Sequence, residues 1–283
     1  MTEPMTIRAR LAAPVATVRR ALTDPAELRV WLAEHAEVEL PVRYEFWGRY
    51  TPEGDAPHQR LLHADDRTLR FAWTLDGVET TTEFELEPDG DGTILTLRQS
   101  HFSFEEAMSG SSIRGVLQTY WYLALANLND HLDGRPLLPR TDFTSADLRG
   151  ELLIDAPMDK VWTSLTDSEQ AGAWFGYPIG IEPWEGGRYA MGGFDAGQAA
   201  KVFDVTPGRG LSIDWGPTGV TSWELDESEG RTKLTFVQSG FDEGNPPYGA
   251  WTGIVSGFAE LRRFHEVPDW RPIWLTDEVP SGA

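Results

Sequence analysis

AAPVATVRRALTDPAELRVWL, residues 12–32, has a near-copy in DAPMDKVWTSLTDSEQAGAWF, residues 155–175. Matching positions are 143 residues apart throughout, without a gap. They include Pro14 and Pro157, Val18 and Val161, Leu22 and Leu165, Asp24 and Asp167, and Trp31 and Trp174. A match of this length indicates that one structural unit occurs twice in the chain.

The repeat continues to the end of each half. WGRY at 47–50 matches GGRYAM at 186–191, TLRFAW at 68–73 matches GLSIDW at 210–215, and GTILTLRQSHF at 92–102 matches RTKLTFVQSGF at 231–241. A helical segment at 119–132 matches 249–262 loosely, so the offset falls to about 130. A period this long predicts two domains, because solenoid repeats are about 20–50 residues long.

The segment DGRPLLPRTDFTSADLRG, residues 133–150, has the proline, glycine and polar residues of a linker. We therefore expect a first domain at 1–140, a linker at 141–149, and a second domain at 150–283 that ends in a C-terminal tail.

Each unit has the same predicted order of elements. A short strand leads through Ala-Pro to a short helix, and a second short turn carries the tryptophan. Segments such as TILTLRQ and TKLTFVQ alternate apolar and polar residues, which predicts antiparallel strands with one buried face. Each unit closes with a long amphipathic helix. The expected fold class is α+β.

This order, with AP…V…LTDP…W at the front and GT…LTL…QS.F before the last helix, resembles the START/Bet v 1-like (SRPBCC) superfamily. More narrowly, it resembles the AHSA1 (activator of Hsp90 ATPase homologue) type. The resemblance covers nearly all of both units. It implies two tandem helix-grip domains, each a curved antiparallel sheet around a long C-terminal helix with an apolar cavity between them. It does not define function, because this fold hosts many activities.

The composition of the chain argues against some classes of binding partner. The formal charge is −21, and both halves are acidic, which opposes nucleic acid or an anionic membrane as a partner. The chain has no cysteine, no apolar run long enough to span a bilayer and no signal-peptide pattern, so we expect a cytoplasmic protein. The sequence indicates no particular protein partner.

The sequence contains none of the common catalytic motifs. The sequence has no phosphate-binding glycine loop, no nucleophile elbow and no His-Glu-x-x-His. The six histidines are scattered, and none has a counterpart in the other repeat. We expect no metal site and no cofactor, and we interpret Asp24 and Asp167 as local helix caps.

The aromatic residues indicate a ligand cavity, because small-molecule pockets are mostly apolar with few polar groups. Twelve tryptophans are present, and strand alternation directs many bulky rings to one face. The same alternation directs two glutamines inward, where each either bonds loop backbone or meets a ligand. The candidate ligand-binding residues are Trp174, Trp215, Trp223, Phe236, Gln238 and Trp251 in the second unit and Phe71, Trp73, Phe84, Gln99 and Trp121 in the first.

The second unit is the better candidate for an open pocket, because 20 of the 28 glycines follow residue 140. Gly253 and Gly257 lie on one helix face and permit close packing against the sheet or a larger cavity. The primary hypothesis is binding of an apolar, aromatic or polycyclic small molecule, for carriage or sequestration. The alternatives are a polyketide cyclase/aromatase-like enzyme and, with least support, an Hsp90 co-chaperone.

Overall fold

The structure is a computed structural model, and it describes residues 4–102, 112–196 and 199–275. Contacts divide the chain into two units. The first comprises Met1–Thr144 with Ile273–Ala283, and the second comprises Ser145–Pro272. Both units are α+β and repeat the element order expected from the sequence.

In the first unit, a five-stranded antiparallel sheet holds the long helix. The helices are α1 (Val15–Thr23), α2 (Pro25–Trp31) and α3 (Leu117–Leu132), which follows a 3-10 turn at Ile113–Val116. The strands are β1 (Met5–Leu11), β2 (His35–Glu39), β3 (Arg43–Trp47), β4 (Gln59–Ala64), β5 (Thr68–Leu75), β6 (Val78–Asp89) and β7 (Gly92–Gln99). The sheet order is β1-β7-β6-β5-β4, and β2 and β3 form a separate hairpin.

The second unit repeats this arrangement with one continuous sheet. Its helices are α4 (Met158–Thr166), α5 (Ser168–Phe175) and α6 (Tyr248–Glu266). Its strands are β8 (Leu148–Ile154), β9 (Ile179–Ile181), β10 (Arg188–Met191), β11 (Ala200–Thr206), β12 (Gly210–Asp214), β13 (Val220–Ser228) and β14 (Arg231–Ser239). The order β8-β14-β13-β12-β11-β10-β9 includes the counterpart of the first unit's hairpin, because β10 pairs with β11.

Equivalent hydrogen bonds recur in the two units. The indole N–H of Trp31 donates to the carbonyl oxygen of Ala21 at 3.0 Å, and that of Trp174 donates to Ser164 at 2.8 Å. The same offset of 143 relates both partners. The two tryptophans are buried, and each ties the second short helix of its unit to the first.

The interpretation of the two aspartates as helix caps is confirmed. The Asp24 carboxylate accepts from the amide of Ala26 at 2.7 Å at the start of α2, and Asp167 accepts from Gln170 at 2.9 Å at the start of α5. Such caps satisfy amides that have no partner within the helix.

The sequence match of WGRY with GGRYAM has the wrong register. Structurally, β3 corresponds to β10, so that RYEF matches RYAM. In the first unit Arg43 pairs with Glu37, and in the second Arg188 pairs with Glu182 at 2.8 Å. Both pairs link the two sides of the corresponding hairpin, and the first-unit counterpart of Arg188 and Tyr189 therefore shifts by six residues, from Arg49 and Tyr50 to Arg43 and Tyr44.

The close approach of Gly257 is to a helix and not to the sheet. A Cβ at this position would lie 2.7 Å from the ring of Phe175 and 3.5 Å from that of Trp174. The glycine therefore admits α5 against α6, which is a packing role rather than a contribution to cavity volume.

Residues 273–275, which the sequence analysis placed in the second domain's tail, pair with β1 of the first unit. The amide of Arg10 donates to Ile273 at 2.7 Å, and that of Leu275 donates to Arg8 at 2.9 Å. The ring of Trp274 packs edge-on against Tyr122, with centroids 4.7 Å apart. This segment therefore covers the free edge of β1, and residues 276–283 lie outside the described part.

Candidate ligand-binding site

The inward face of the first unit is filled by aromatic rings. All five first-unit candidates are fully or almost fully buried. Their rings form one contact network with side chains from β3 and α3, and the centroids of neighbouring rings are 4.9–6.3 Å apart. The network comprises Tyr44, Phe46, Phe71, Trp73, Phe84, Tyr120 and Trp121.

Gln99 is 0% exposed and is held by protein partners on both sides of its amide. Its Oε1 accepts from the Thr82 hydroxyl at 2.7 Å and from the Trp121 indole N–H at 3.2 Å. Its Nε2 donates to the backbone oxygen of Ser100 at 3.1 Å. Because buried amides need partners, this network makes Gln99 a structural residue of a closed core.

Two polar atoms of this ring network, the indole N–H of Trp73 and the hydroxyl of Tyr120, have no hydrogen-bond partner among the described residues. The indole N–H of Trp73 is buried and makes no hydrogen bond there. The Trp73 ring packs edge-on against Phe46, with centroids 5.3 Å apart, and against Trp121, with centroids 5.9 Å apart. The first unit therefore also contains unsatisfied polar atoms, although its Gln99 amide is bonded at both the oxygen and the nitrogen.

The second unit gathers its candidate rings in the corresponding place. Trp174, Trp223, Phe236 and Trp251 are buried, whereas Trp215 is half-buried. Two further rings complete the cluster, Tyr189 from β10 and Phe258 from α6. The contacts join Tyr189 to Trp215 (5.6 Å) and Trp223 (6.1 Å), and Phe236 to Trp251 (5.3 Å) and Phe258 (4.8 Å).

Gln238 is 3% exposed, so its inward direction is confirmed, but its amide is only half satisfied. Its Nε2 donates to the backbone oxygen of Thr218 at 2.7 Å. Its Oε1 is buried and has no partner among the described residues. The loop-backbone alternative is thus correct for the nitrogen, while the oxygen remains available.

A different pairing of the threonine explains this contrast. In the second unit Thr221, the counterpart of Thr82, accepts from the indole N–H of Trp215 at 3.0 Å. Thr221 also pairs with Gln238 across β13 and β14, as Thr82 pairs with Gln99 across β6 and β7. In the first unit the threonine therefore donates a hydrogen bond to the glutamine oxygen. In the second unit this bond is absent and the glutamine oxygen is a buried acceptor without a partner among the described residues.

Gly150 on β8 allows Phe236 its position. A Cβ on Gly150 would overlap the ring of Phe236, its cross-strand partner on β14, because the ring carbon Cζ lies 2.4 Å from the Cβ position. The absence of a side chain at Gly150 therefore allows the Phe236 ring to pack directly on β8 at one side of the aromatic cluster.

The first turn of α6 is open in the second unit. Nothing lies within 4 Å of the position that a Cβ on Gly249 would take, and Ala250 is exposed. The repeat matches Ala250 with Tyr120, whose buried ring contacts Trp73 and Trp121 in the first unit. A large ring of the first unit therefore has only a methyl group as its counterpart.

Several rings of these clusters lie at positions that the sequence pattern did not predict. Tyr44 and Tyr189 lie on β3 and β10, short strands that the alternation pattern did not predict. Burial raises the pKa of both phenols above their ordinary range, so they are neutral. The recurrence of Arg-Tyr in RYEF and RYAM was the available signal.

Other features of the described residues add no chemistry to this site. A shallow surface groove of about 320 Å³ lies beside α2 and the β2–β3 hairpin, away from the ring clusters. No group of three or more His, Asp or Glu side chains in the described ranges is placed to hold a metal ion. No helix within those ranges is both long and apolar enough to cross a membrane.

Comparison with known proteins identifies the family. The sequence model described as "Activator of Hsp90 ATPase homolog 1-like protein" (AHSA1) matches residues 12–133 and 155–262, which is most of the chain. The chain belongs to the AHSA1 family. The two matched segments coincide with the two helix-grip units, so the expected family and the tandem fold are both confirmed.

Several solved structures are similar to this AHSA1 chain. CalU16 from Micromonospora echinospora is 27% identical over 47% of this chain and 76% of its own, with a TM-score of 0.37. MLL2253 from Mesorhizobium loti is 21% identical over 47% and 99%, with a TM-score of 0.39. DynU16, from the dynemicin biosynthetic locus, is 17% identical over 94% and 98%, with a TM-score of 0.41. No curated protein matches the chain.

Proposed function

We propose that this AHSA1 protein binds an apolar aromatic small molecule in its second unit, between the sheet and α6. The observation that carries the proposal is Oε1 of Gln238, a buried acceptor without a partner among the described residues, beside a cluster of aromatic rings. A buried acceptor left unsatisfied costs about 1–3 kcal/mol, which a ligand donor would offset.

The first unit provides the contrast, because the amide of its corresponding glutamine is fully hydrogen-bonded. Its Gln99 is satisfied by Thr82 and Trp121, and its interior is occupied by its own rings. We therefore propose one ligand per chain rather than two. We further propose that the ligand enters beside the half-buried Trp215 and the open first turn of α6.

The test is titration of the full chain with N-phenyl-1-naphthylamine, a neutral aromatic fluorophore, with stoichiometry measured by calorimetry. We expect one equivalent per chain, and we expect Trp215→Ala to lower the affinity several-fold. Aromatic pairing contributes about 0.5–1.5 kcal/mol beyond area burial, which corresponds to that change.

Trp184→Ala is the matched control. Trp184 belongs to the same unit but is 56% exposed and makes no ring contact among the described residues. Its loss should leave both affinity and stoichiometry unchanged. Two equivalents per chain, no binding, or equal effects of the two variants would each contradict the proposal.

A further inference from the structure

The orientation of the Gln238 amide is fixed by chemistry. Nε2 lies 2.7 Å from the backbone oxygen of Thr218, which can only accept a hydrogen bond. Exchanging the nitrogen and oxygen would place two acceptors against each other. The free atom is therefore the carbonyl oxygen, and its partner must be a donor.

A second unsatisfied atom lies on the neighbouring strand. Trp223 pairs with Phe236, which is two residues before Gln238, so Trp223 and Gln238 are diagonal neighbours on the inward face. The indole N–H of Trp223 is buried and has no hydrogen-bond partner among the described residues. The nearby Thr221 hydroxyl already accepts from Trp215. Beside this hydroxyl, whose own proton can still donate, the site presents a free acceptor on Gln238 and a free donor on Trp223.

No ionised side chain lies on this part of the sheet. The buried residues of β12, β13 and β14, all described, are Leu211, Ile213, Thr221, Trp223, Leu225, Thr232, Leu234, Phe236 and Gln238. Tyr189 is neutral because burial raises its pKa. The buried Glu260 is nine residues after Trp251 on α6, about 13 Å along the helix, and accepts from Trp270.

We infer that the ligand of the second unit carries a neutral hydroxyl on an aromatic ring, which donates to Oε1 of Gln238 and accepts from Nε1 of Trp223. This inference rests on the proposed function. A carboxylate or sulfonate would meet the Gln238 oxygen, an ammonium group would find no counter-charge, and an ether or ketone would satisfy Trp223 alone. Of these groups, only a hydroxyl serves both atoms and leaves the ring to the aromatic cluster.

The test compares three probes of one shape on the full chain: naphthalene, 2-methoxynaphthalene and 2-naphthol. We expect 2-naphthol to bind at least tenfold more tightly than the other two, because a site built to bond a hydroxyl rejects analogues that lack it. Gln238→Leu should abolish the preference for 2-naphthol over 2-methoxynaphthalene, because the Trp223 N–H can still donate to the oxygen of either probe. Gln99→Leu, the matched change in the first unit, should preserve it in the folded protein.

Trp223→Phe provides a second variant that keeps the ring and removes only the N–H. Phenylalanine fits this place in the fold, because the first unit has Phe84 at the corresponding position. It should weaken 2-naphthol and 2-methoxynaphthalene relative to naphthalene. Melting temperatures show whether each variant is folded.

The outcomes separate the two proposals. If all three probes bind equally, the hydroxyl inference fails while aromatic binding in the second unit stands. If the preference for 2-naphthol over 2-methoxynaphthalene persists in Gln238→Leu, the acceptor has been assigned wrongly. If neither the three probes nor N-phenyl-1-naphthylamine binds, the proposed function fails and the inference fails with it.

Discussion

Gln99 and Gln238 occupy the same position in two copies of one fold, yet their side-chain oxygens differ in hydrogen bonding. The oxygen of Gln99 accepts from Thr82 and Trp121, whereas that of Gln238 accepts from none of the described residues. Both glutamines are buried. The two units therefore share a fold and differ in the hydrogen-bond network around this glutamine.

This difference predicts unequal effects on stability. Gln99→Leu removes three hydrogen bonds and strands the Trp121 N–H, so it should lower the free energy of unfolding by about 2–4 kcal/mol. Gln238→Leu removes one bond, to Thr218, and should have an effect of about 1 kcal/mol. Chemical denaturation followed by circular dichroism measures both. A larger effect of Gln238→Leu would show that its oxygen is bonded within the protein.

Gly150→Ala should destabilise the second unit. The added Cβ overlaps the Phe236 ring, and such overpacking typically costs about 1–3 kcal/mol. Gly249→Ala is the matched control, because nothing lies within 4 Å of its Cβ position at the start of α6. It should be neutral or stabilise by up to about 1 kcal/mol. Thermal unfolding distinguishes the two, and equal melting temperatures would contradict the packing of Phe236 on β8.

Ending the chain after Pro272 should loosen the first unit. It removes the two backbone hydrogen bonds of Ile273 and Leu275 to β1 and the contact of Trp274 with Tyr122. Their combined contribution is roughly 2–4 kcal/mol. Hydrogen exchange should accelerate in residues 5–11. Ending after Leu275 is the control and should leave this exchange unchanged, whereas acceleration in both would show that these contacts are not responsible.

Alkaline pH should unfold the protein through its buried tyrosines. Burial raises the pKa of Tyr44, Tyr120, Tyr122 and Tyr189. The unfolded chain then loses these protons first, above about pH 10, so stability falls as pH rises beyond that value. Absorbance at 295 nm should show four of the seven tyrosines ionising together with unfolding. Their ionisation in the folded state at pH 10 would contradict this.

Much of the frame was readable from the sequence, because burial imposes a pattern on it. The recurrence of Trp31 at Trp174 predicted equivalent helices, and the alternation in TILTLRQ and TKLTFVQ predicted the inward glutamines. The hairpins were missed because β9 and β10 have only three and four residues, too few to show a period.

The difference between the two sites was not readable. Both units carry the same Thr–Gln pair on adjacent strands, and which donor reaches the amide depends on side-chain positions within about an ångström. The aromatic residues were found because each has a large apolar surface to bury, whereas the partners of their polar atoms are set by packing of the whole unit.

The pairing of Ile273–Leu275 with β1 has a consequence for the order of synthesis. The first strand of the chain leaves the ribosome early, but the segment that covers its edge is made only after the whole second unit. Until then β1 presents unpaired backbone groups, which attract strands of other chains. A fragment of residues 1–144 would keep this exposed edge permanently, so gene fragments cut at the repeat boundary are expected to self-associate.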